Sequence, residues 1–356
     1  IERQPMTQEN SSLIHLPQLI RFLRDSLSLE EGDISIERHE AGYSNETFFV
    51  CWGEKRWVLR RPPSGDLLPT AHDVLREYRV LSALSSMDVR TPQPVIACED
   101  QDVLGVPFYL MQRAEGLVVR ESLPEIFDPP AERKRLGEEL IDALAELHAI
   151  QWKGTDLEGI GRPQGYLERQ LKRWTTQCEL TLPHTRSLPG LQEVGGWLQQ
   201  RLPPVNAATV VHGDYKVDNV MFSAHTPARL VAIFDWEMAT LGDPLTDLGW
   251  LLSFWGPTGD EQGEKDEADP IGSNYITQRT GFLSREEMAA RYERQTGRTM
   301  EHFPFYHCLA VWKYAVILEG LYRLYLEGSA ANPKTAEFEW KVPQLVERAQ
   351  RIMAEA

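Results

Sequence analysis

The chain has 356 residues, 42% of them hydrophobic, which is enough to fill a core in each of two or three domain-sized units. Its formal net charge of −16 repels phosphodiester backbones and anionic lipid, so neither nucleic-acid binding nor polybasic membrane attachment is expected. The start is polar, no apolar run reaches the roughly 20 residues of a membrane helix, and Cys51, Cys98, Cys178 and Cys308 form no Cys-x-x-Cys pair, so a soluble, cytoplasmic protein with free thiols is expected.

In chain order, PQLIRFLRDSL places Leu19, Ile20, Leu23 and Leu27 at helical spacing, after which the period falls to two. ISIERHE, ETFFVCW and RWVLRR read as strands, the last two joined by a tight turn at Gly53-Glu54. Thr70, with Asp73 three residues on, is expected to open the helix TAHDVLREYRVLSAL, in which Val74, Glu77, Tyr78 and Leu81 share a face. PVIAC and PFYLMQ read as further strands, completing a five-stranded antiparallel sheet with one long helix by about Gln112. Asp128 and Pro129 are suited to N-cap and N1 of a helix to about Ile150. Beyond it the pattern is mainly helical, interrupted by short strands near 209–211, 220–222 and 230–234. Ser284 with Glu287 opens another helix, and 305–326 and 343–354 read as two more. The expected fold class is α+β: a small N-terminal lobe, 1–112, and a large, mainly helical lobe, 113–356. The acidic, turn-rich tract 259–270 reads as a solvated loop.

The chemistry concentrates in VVHGDYKVDNVMF and the strand-like LVAIF that follows, ending in Asp235, Trp236 and Glu237. Phosphoryl transfer asks a protein for alignment and charge neutralisation rather than covalent help. Asp214, just past a strand end, is the candidate to orient and deprotonate an alcohol; read blandly, it is a turn aspartate. Asn219 and Asp235 offer a neutral and a charged oxygen of the kind Mg²⁺ takes alongside nucleotide phosphates. Either alone is ordinary, but H-x-D-x-x-x-x-N followed by a strand and an aspartate is a joint spacing that chance seldom meets. Lys216 either places positive charge on the transferring phosphoryl group or is a surface lysine.

Arg60, ending WVLR, stands where protein kinases carry the lysine of V-A-I-K, and Glu77 on the next helix is its natural partner. Arginine grips phosphate bidentately but differs from lysine in length and shape. Gly42, Ser44 and Asn45, between the first two strands, offer donors to the β- and γ-phosphates. Gln112 and Arg113 are expected at the hinge, where backbone groups meet the purine of ATP or GTP. Walker, dinucleotide, Ser-hydrolase and zincin motifs are absent. His212 reads as packed inward to brace the loop, in preference to a metallohydrolase cluster with Asp214 and Asp235.

VVHGDYKVDN and FDWE, joined by GDPLTDLGW, resemble the aminoglycoside phosphotransferase and choline kinase superfamily, whose fold is similar to that of protein kinases. The resemblance implies Asp214 as catalytic base, Asn219 and Asp235 as magnesium ligands, Glu237 at a second metal, and Asp247 as a brace for the catalytic loop. More narrowly, VLRRPPSGDLLPTAHDVLREYRVLSAL, MQRAEG and GYLERQLKRW are similar to the kinase-like domain at the front of certain long acyl-CoA dehydrogenases and to stand-alone bacterial relatives. That implies a kinase using Mg²⁺ with ATP or GTP on a small-molecule alcohol, the candidate acceptors being a hydroxyacyl thioester, an aminoglycoside or a choline-like alcohol. The basic stretch Arg162, Arg169, Lys172 and Arg173 points to an anionic acceptor, and the 259–270 tract to a cationic one. The rival reading is a nucleotide-binding scaffold without turnover, for which Arg60 speaks. A protein kinase is disfavoured by the lack of an A-P-E segment.

Overall fold

The structure, a computed structural model, describes residues 13–39, 45–63, 73–120, 122–204, 207–256, 274–330 and 332–356. They divide into two compact units: one holds the described residues up to Glu115 together with Ala232–Glu237, the other Gly116–Val231 and Met238–Ala356.

The smaller unit is built on an antiparallel sheet of β1 (Ile34–His39), β2 (Glu46–Trp52), β3 (Lys55–Arg61), β4 (Pro94–Cys98) and β5 (Phe108–Gln112), in the order β1-β2-β3-β5-β4. Gly53, at φ +54°, makes the β2–β3 turn without a Cβ clash. β3 is central, so its residues from Trp57 to Arg61 are buried, and its alternation sorts them between two helices. Phe48, Val50, Leu59, Phe108 and Leu110 pack with Leu19 and Leu23 of α1 (Leu16–Leu27). Arg60 points the other way, to α2 (Val74–Leu84). That helix starts later than expected: Asp73 is its N-cap, accepting from the Arg76 N–H at 2.9 Å, and Thr70 lies outside the described residues. A single-turn helix, Gln101–Leu104, precedes β5, too short to leave a periodic signal.

The larger unit is mainly helical. α3 (Pro130–His148) is preceded by a 3₁₀ turn, Glu125–Phe127, and takes Pro129 as its N-cap. Asp128 therefore does not cap it. Its carboxylate is drawn off by Arg133 at 3.0 Å and Arg279 at 2.6 Å. α4 (Tyr166–Thr181) and α5 (Pro189–Gln200) lead to β6 (Thr209–Val211), β7 (Val220–Phe222) and β8 (Leu230–Ile233), the last running on into the segment that belongs to the smaller unit. β9 (Thr240–Gly242), not expected from the sequence, pairs antiparallel with β6.

After α6 (Leu245–Ser253) comes α7 (Arg285–Thr296), opened by the expected capping box of Ser284 and Glu287. α8 (Phe303–Leu326) crosses α6 so closely that a Cβ on Gly249 would lie 2.6 Å from the Tyr306 carbonyl oxygen. α9 (Phe338–Glu355) begins ahead of Pro343 rather than at it. Proline has no N–H for the carbonyl four residues back. That carbonyl, on Glu339, accepts instead from Arg186, which also pairs with Glu319 at 2.8 Å. No helix among the described residues is long and apolar enough to cross a membrane.

Candidate active site

β6 delivers the chain into a turn at His212, Gly213 and Asp214 that is held from behind. Asp247, fully buried on the first turn of α6, accepts the backbone N–H groups of His212 (2.6 Å) and Gly213 (2.8 Å) on its two oxygens. His148 Nε2 lies 3.3 Å from the same carboxylate, and its Nδ1 is 2.6 Å from the Tyr292 hydroxyl. Burial alone would raise the Asp247 carboxyl, but the hydrogen bonds from His148 and the Gly213 N–H hold it below the ordinary carboxylate range. Burial lowers His148, so the ring is neutral and can donate to Asp247 while accepting from Tyr292. Gly213 is obligatory in this turn: its φ is +86°, and a Cβ there would meet the Met238 carbonyl oxygen at 2.8 Å.

The turn presents Asp214 with each carboxylate oxygen occupied. Oδ1 accepts from Trp250 Nε1 at 2.7 Å, and Oδ2 from Asn219 Nδ2 at 2.8 Å and Lys216 Nζ at 3.1 Å. Asn219 Nδ2 also donates to the Asp214 carbonyl at 2.9 Å, which turns the amide oxygen away from the aspartate, where a cation could take it. Trp250 is itself set by edge-on contacts with Phe254 and Tyr314.

In the smaller unit Arg60 joins two acids, Glu77 at 3.0 Å and Asp235 at 3.3 Å. Burial pushes the Glu77 carboxyl up to about 7 against the pull of Arg60. Burial works against the Arg60 charge too, and is outweighed by Glu77, Tyr109, Asp235 and Glu237, which hold the guanidinium protonated. Glu77 also accepts the Trp236 N–H at 3.3 Å, fixing the chain just after Asp235, whose φ of +66° is left-handed. Asn45 Nδ2 donates to Glu237 Oε2 at 3.2 Å, and Arg76 to the Glu237 carbonyl at 2.8 Å. Among the described residues, buried Asn45 Oδ1 and Arg60 Nε have no hydrogen-bond partner, so both could meet a ligand.

The N–H groups of Gln112 and Arg113 already donate to the Gln93 (2.7 Å) and Arg56 (3.0 Å) carbonyls, and the Arg113 guanidinium stacks on Phe49. A base met there would be met by other atoms. Gly42, Ser44 and the 259–270 tract lie outside the described residues.

The family profile described as the phosphotransferase enzyme family matches residues 35–283. The chain belongs to that family. Among relatives of this phosphotransferase-family chain, acyl-CoA dehydrogenase family member 11 of Gallus gallus is 36% identical over 325 residues, covering 89% of the chain and 40% of that protein. The chain thus spans well under half the length of this relative. Viomycin phosphotransferase of Streptomyces vinaceus is 27% identical over 256 residues, covering 67% of the chain and 81% of that protein. Among solved structures, a putative aminoglycoside phosphotransferase from Ralstonia eutropha JMP134 superposes with a TM-score of 0.80 at 29% identity, covering 96% of this chain and 98% of the other. The fold is the α+β, two-lobed, protein-kinase-like fold of the phosphotransferases.

Sequence reasoning missed Trp250, Lys313 and the His148–Tyr292 pair, which surround the His212–Asp214 turn of this family member from distant helices. Only Lys313 left a signal, as a lone charge in the apolar run CLAVWKYAVIL. The basic stretch on α4 does not line the cavity beside the turn. Arg169 is engaged by the Gln164 and Arg162 carbonyls, Lys172 is exposed, and the lining comes from Tyr166, Gln170, Trp174, Trp250, Tyr306 and Lys313 among others.

Proposed function

We propose that the chain transfers the γ-phosphoryl group of a nucleoside triphosphate, ATP or GTP, to the hydroxyl of a small molecule. The observation that carries this reading is Asp214. Its carboxylate is ordered by Trp250, Asn219 and Lys216, yet its side chain remains 23% exposed and able to receive an alcohol. Asp214 orients the attacking hydroxyl and takes its proton as the oxygen–phosphorus bond forms. Lys216, 3.1 Å from Asp214, offsets charge on the phosphoryl group. Arg60, held by Glu77, grips the non-transferred phosphates, with Asn45, Gly42 and Ser44 as further donors and residues 112 and 113 near the base.

Asn219 of the larger unit and Asp235 and Glu237 of the smaller each offer an oxygen of the kind a hard cation takes, and the Asn45 and Arg60 atoms that lack a partner among the described residues suit its nucleotide. Mg²⁺ bound there would neutralise phosphate charge. The acceptor is drawn from three classes: a hydroxyacyl thioester, from the acyl-CoA dehydrogenase relatives; an aminoglycoside, from the aminoglycoside phosphotransferase neighbour; or a choline-like alcohol.

One observation favours the rival scaffold reading: Arg60 pairs with Asp235, which engages a proposed metal ligand with a protein cation. Thermal stabilisation by ATP with Mg²⁺, followed by slow ATP hydrolysis and an alcohol panel, separates the two. The kinase reading expects Asp214→Asn to keep nucleotide stabilisation and lose turnover. An Asp214→Asn protein that binds nucleotide and transfers phosphate at the wild-type rate shows that Asp214 is not the base, and binding without hydrolysis or transfer across the panel by the wild type refutes the kinase reading.

A further inference from the structure

One ammonium beside the catalytic turn has no role in the reading above. Lys313, on α8, has its Nζ 4.1 Å from the Trp250 ring centroid, 5.6 Å from that of Trp174 and 3.4 Å from the Gly213 carbonyl oxygen. Aromatic faces and one long carbonyl contact hold a cation in place but do not match its charge as a carboxylate would. The acids whose fields reach it are Asp214 and Asp247, and their oxygens are hydrogen-bonded to Trp250, Asn219, His212 and Gly213. Arg173 and Lys216 face it as like charges. Burial, the largest influence, brings the ammonium down to about 8, so at neutral pH it still carries its proton for most of the time.

The cavity that Lys313 shares with Trp174 and Trp250 measures about 30 Å³. That is the room of one or two waters, so it admits a single functional group of a larger molecule. Its walls supply Tyr166, Gln170 and Tyr306, aromatic and neutral polar surface; among the described residues the one lining acid, Asp247, is already bonded to the turn. An arriving ammonium would meet a desolvated like charge here; an arriving oxygen lone pair would meet a strong donor.

We propose that Lys313 is a specificity-determining residue that binds a carbonyl or carboxylate oxygen carried by the acceptor near its hydroxyl, so that hydroxylated acyl compounds are selected over polycationic amino sugars. This rests on the phosphotransferase reading for the word acceptor, and on the cavity alone for the contact.

Trp174 and Trp250 flank the site, so binding is read by tryptophan fluorescence without any turnover. The titrants are a hydroxybutyryl N-acetylcysteamine thioester, free hydroxybutyrate, the corresponding butanediol and kanamycin. The wild type is expected to bind the thioester or the hydroxy acid more tightly than the diol or kanamycin. Lys313→Met, close in volume, is expected to weaken that binding about 10- to 100-fold while leaving the diol unchanged, and Lys313→Arg to restore part of it. Preference for the thioester assigns a carbonyl, and preference for the free acid a carboxylate.

Equal affinities in wild type and Lys313→Met overturn the proposal. So does a diol or kanamycin bound as tightly as the acyl compounds, or a wild type that binds none of the four. Urea unfolding of Lys313→Met and Lys313→Gln checks that loss of binding is not loss of fold. Absence of phosphate transfer by the wild type to any alcohol of the panel would sink the kinase reading while leaving these affinities standing, so the two failures are distinct.

Discussion

Replacing Asp247 by asparagine tests how the turn at His212–Asp214 is held. The wild-type carboxylate accepts from the His212 N–H at 2.6 Å, the Gly213 N–H at 2.8 Å and His148 at 3.3 Å, entirely out of water. An amide has one accepting oxygen. With that oxygen toward Gly213, its NH₂ confronts the His212 N–H and leaves a buried donor unpaired, which costs about 1–3 kcal/mol. The surviving bond loses its charge assistance, roughly 1 kcal/mol more. The expected loss is therefore about 2–4 kcal/mol, read as a lower urea midpoint at unchanged slope. Because Asp214 follows the turn directly, turnover should fall with it. The Asp247 carboxyl is held below its unfolded value, so its contribution is complete above the ordinary carboxylate range and fades as pH falls through the folded value. The gap between wild type and variant should close in acid. An Asp247→Asn protein within about 0.5 kcal/mol of wild type at pH 7 would show that the turn stands without this brace.

Other perturbations isolate other parts. Trp250→Phe removes the 2.7 Å donor to Asp214 but keeps an aromatic face for Lys313; turnover should fall roughly tenfold, with acyl binding by fluorescence of Trp174 retained. At φ +66°, Asp235→Asn should fold normally and lose Mg²⁺-dependent nucleotide stabilisation, whereas Asp235→Ala should lose about 1 kcal/mol of stability as well, measured by urea unfolding. Glu77→Gln strips the buried Arg60 of its nearer charge and should cost on the order of 3–5 kcal/mol by the same measurement. Since Lys313 sits at about 8, acyl binding should weaken as pH rises through that value, and in Lys313→Arg it should not; stability, by contrast, should rise from there toward the ordinary lysine value, because the unfolded chain then holds the proton the folded one has released.

The sheet was legible because its strands are short alternating or continuously apolar runs of five to seven residues with turn residues between, and the five expected strands are those observed. Helix starts were less legible where several residues could cap: Asp73 is the N-cap of α2, and Asp128 was taken by Arg133 and Arg279. The meeting of Asp214 and Asn219 could be read from their spacing, since they lie five residues apart in one turn. What surrounds it could not. Trp250 reaches Asp214 from 36 residues away, Lys313 reaches Gly213 from 100, and Tyr292 reaches His148 from 144. Pairings at such separations are fixed by helix packing, and no local pattern encodes them.

Gly249 shows how that packing is set. Trp250 and Lys313 ride on two helices whose backbones touch at the neighbouring glycine, where an added methyl would intrude to 2.6 Å of a carbonyl oxygen. The aperture between indole and ammonium is thus governed by a hydrogen atom that contacts neither. Swapping wall residues would retune which group the niche prefers. A single methyl at 249 would instead act as a shim, resizing it for every candidate at once.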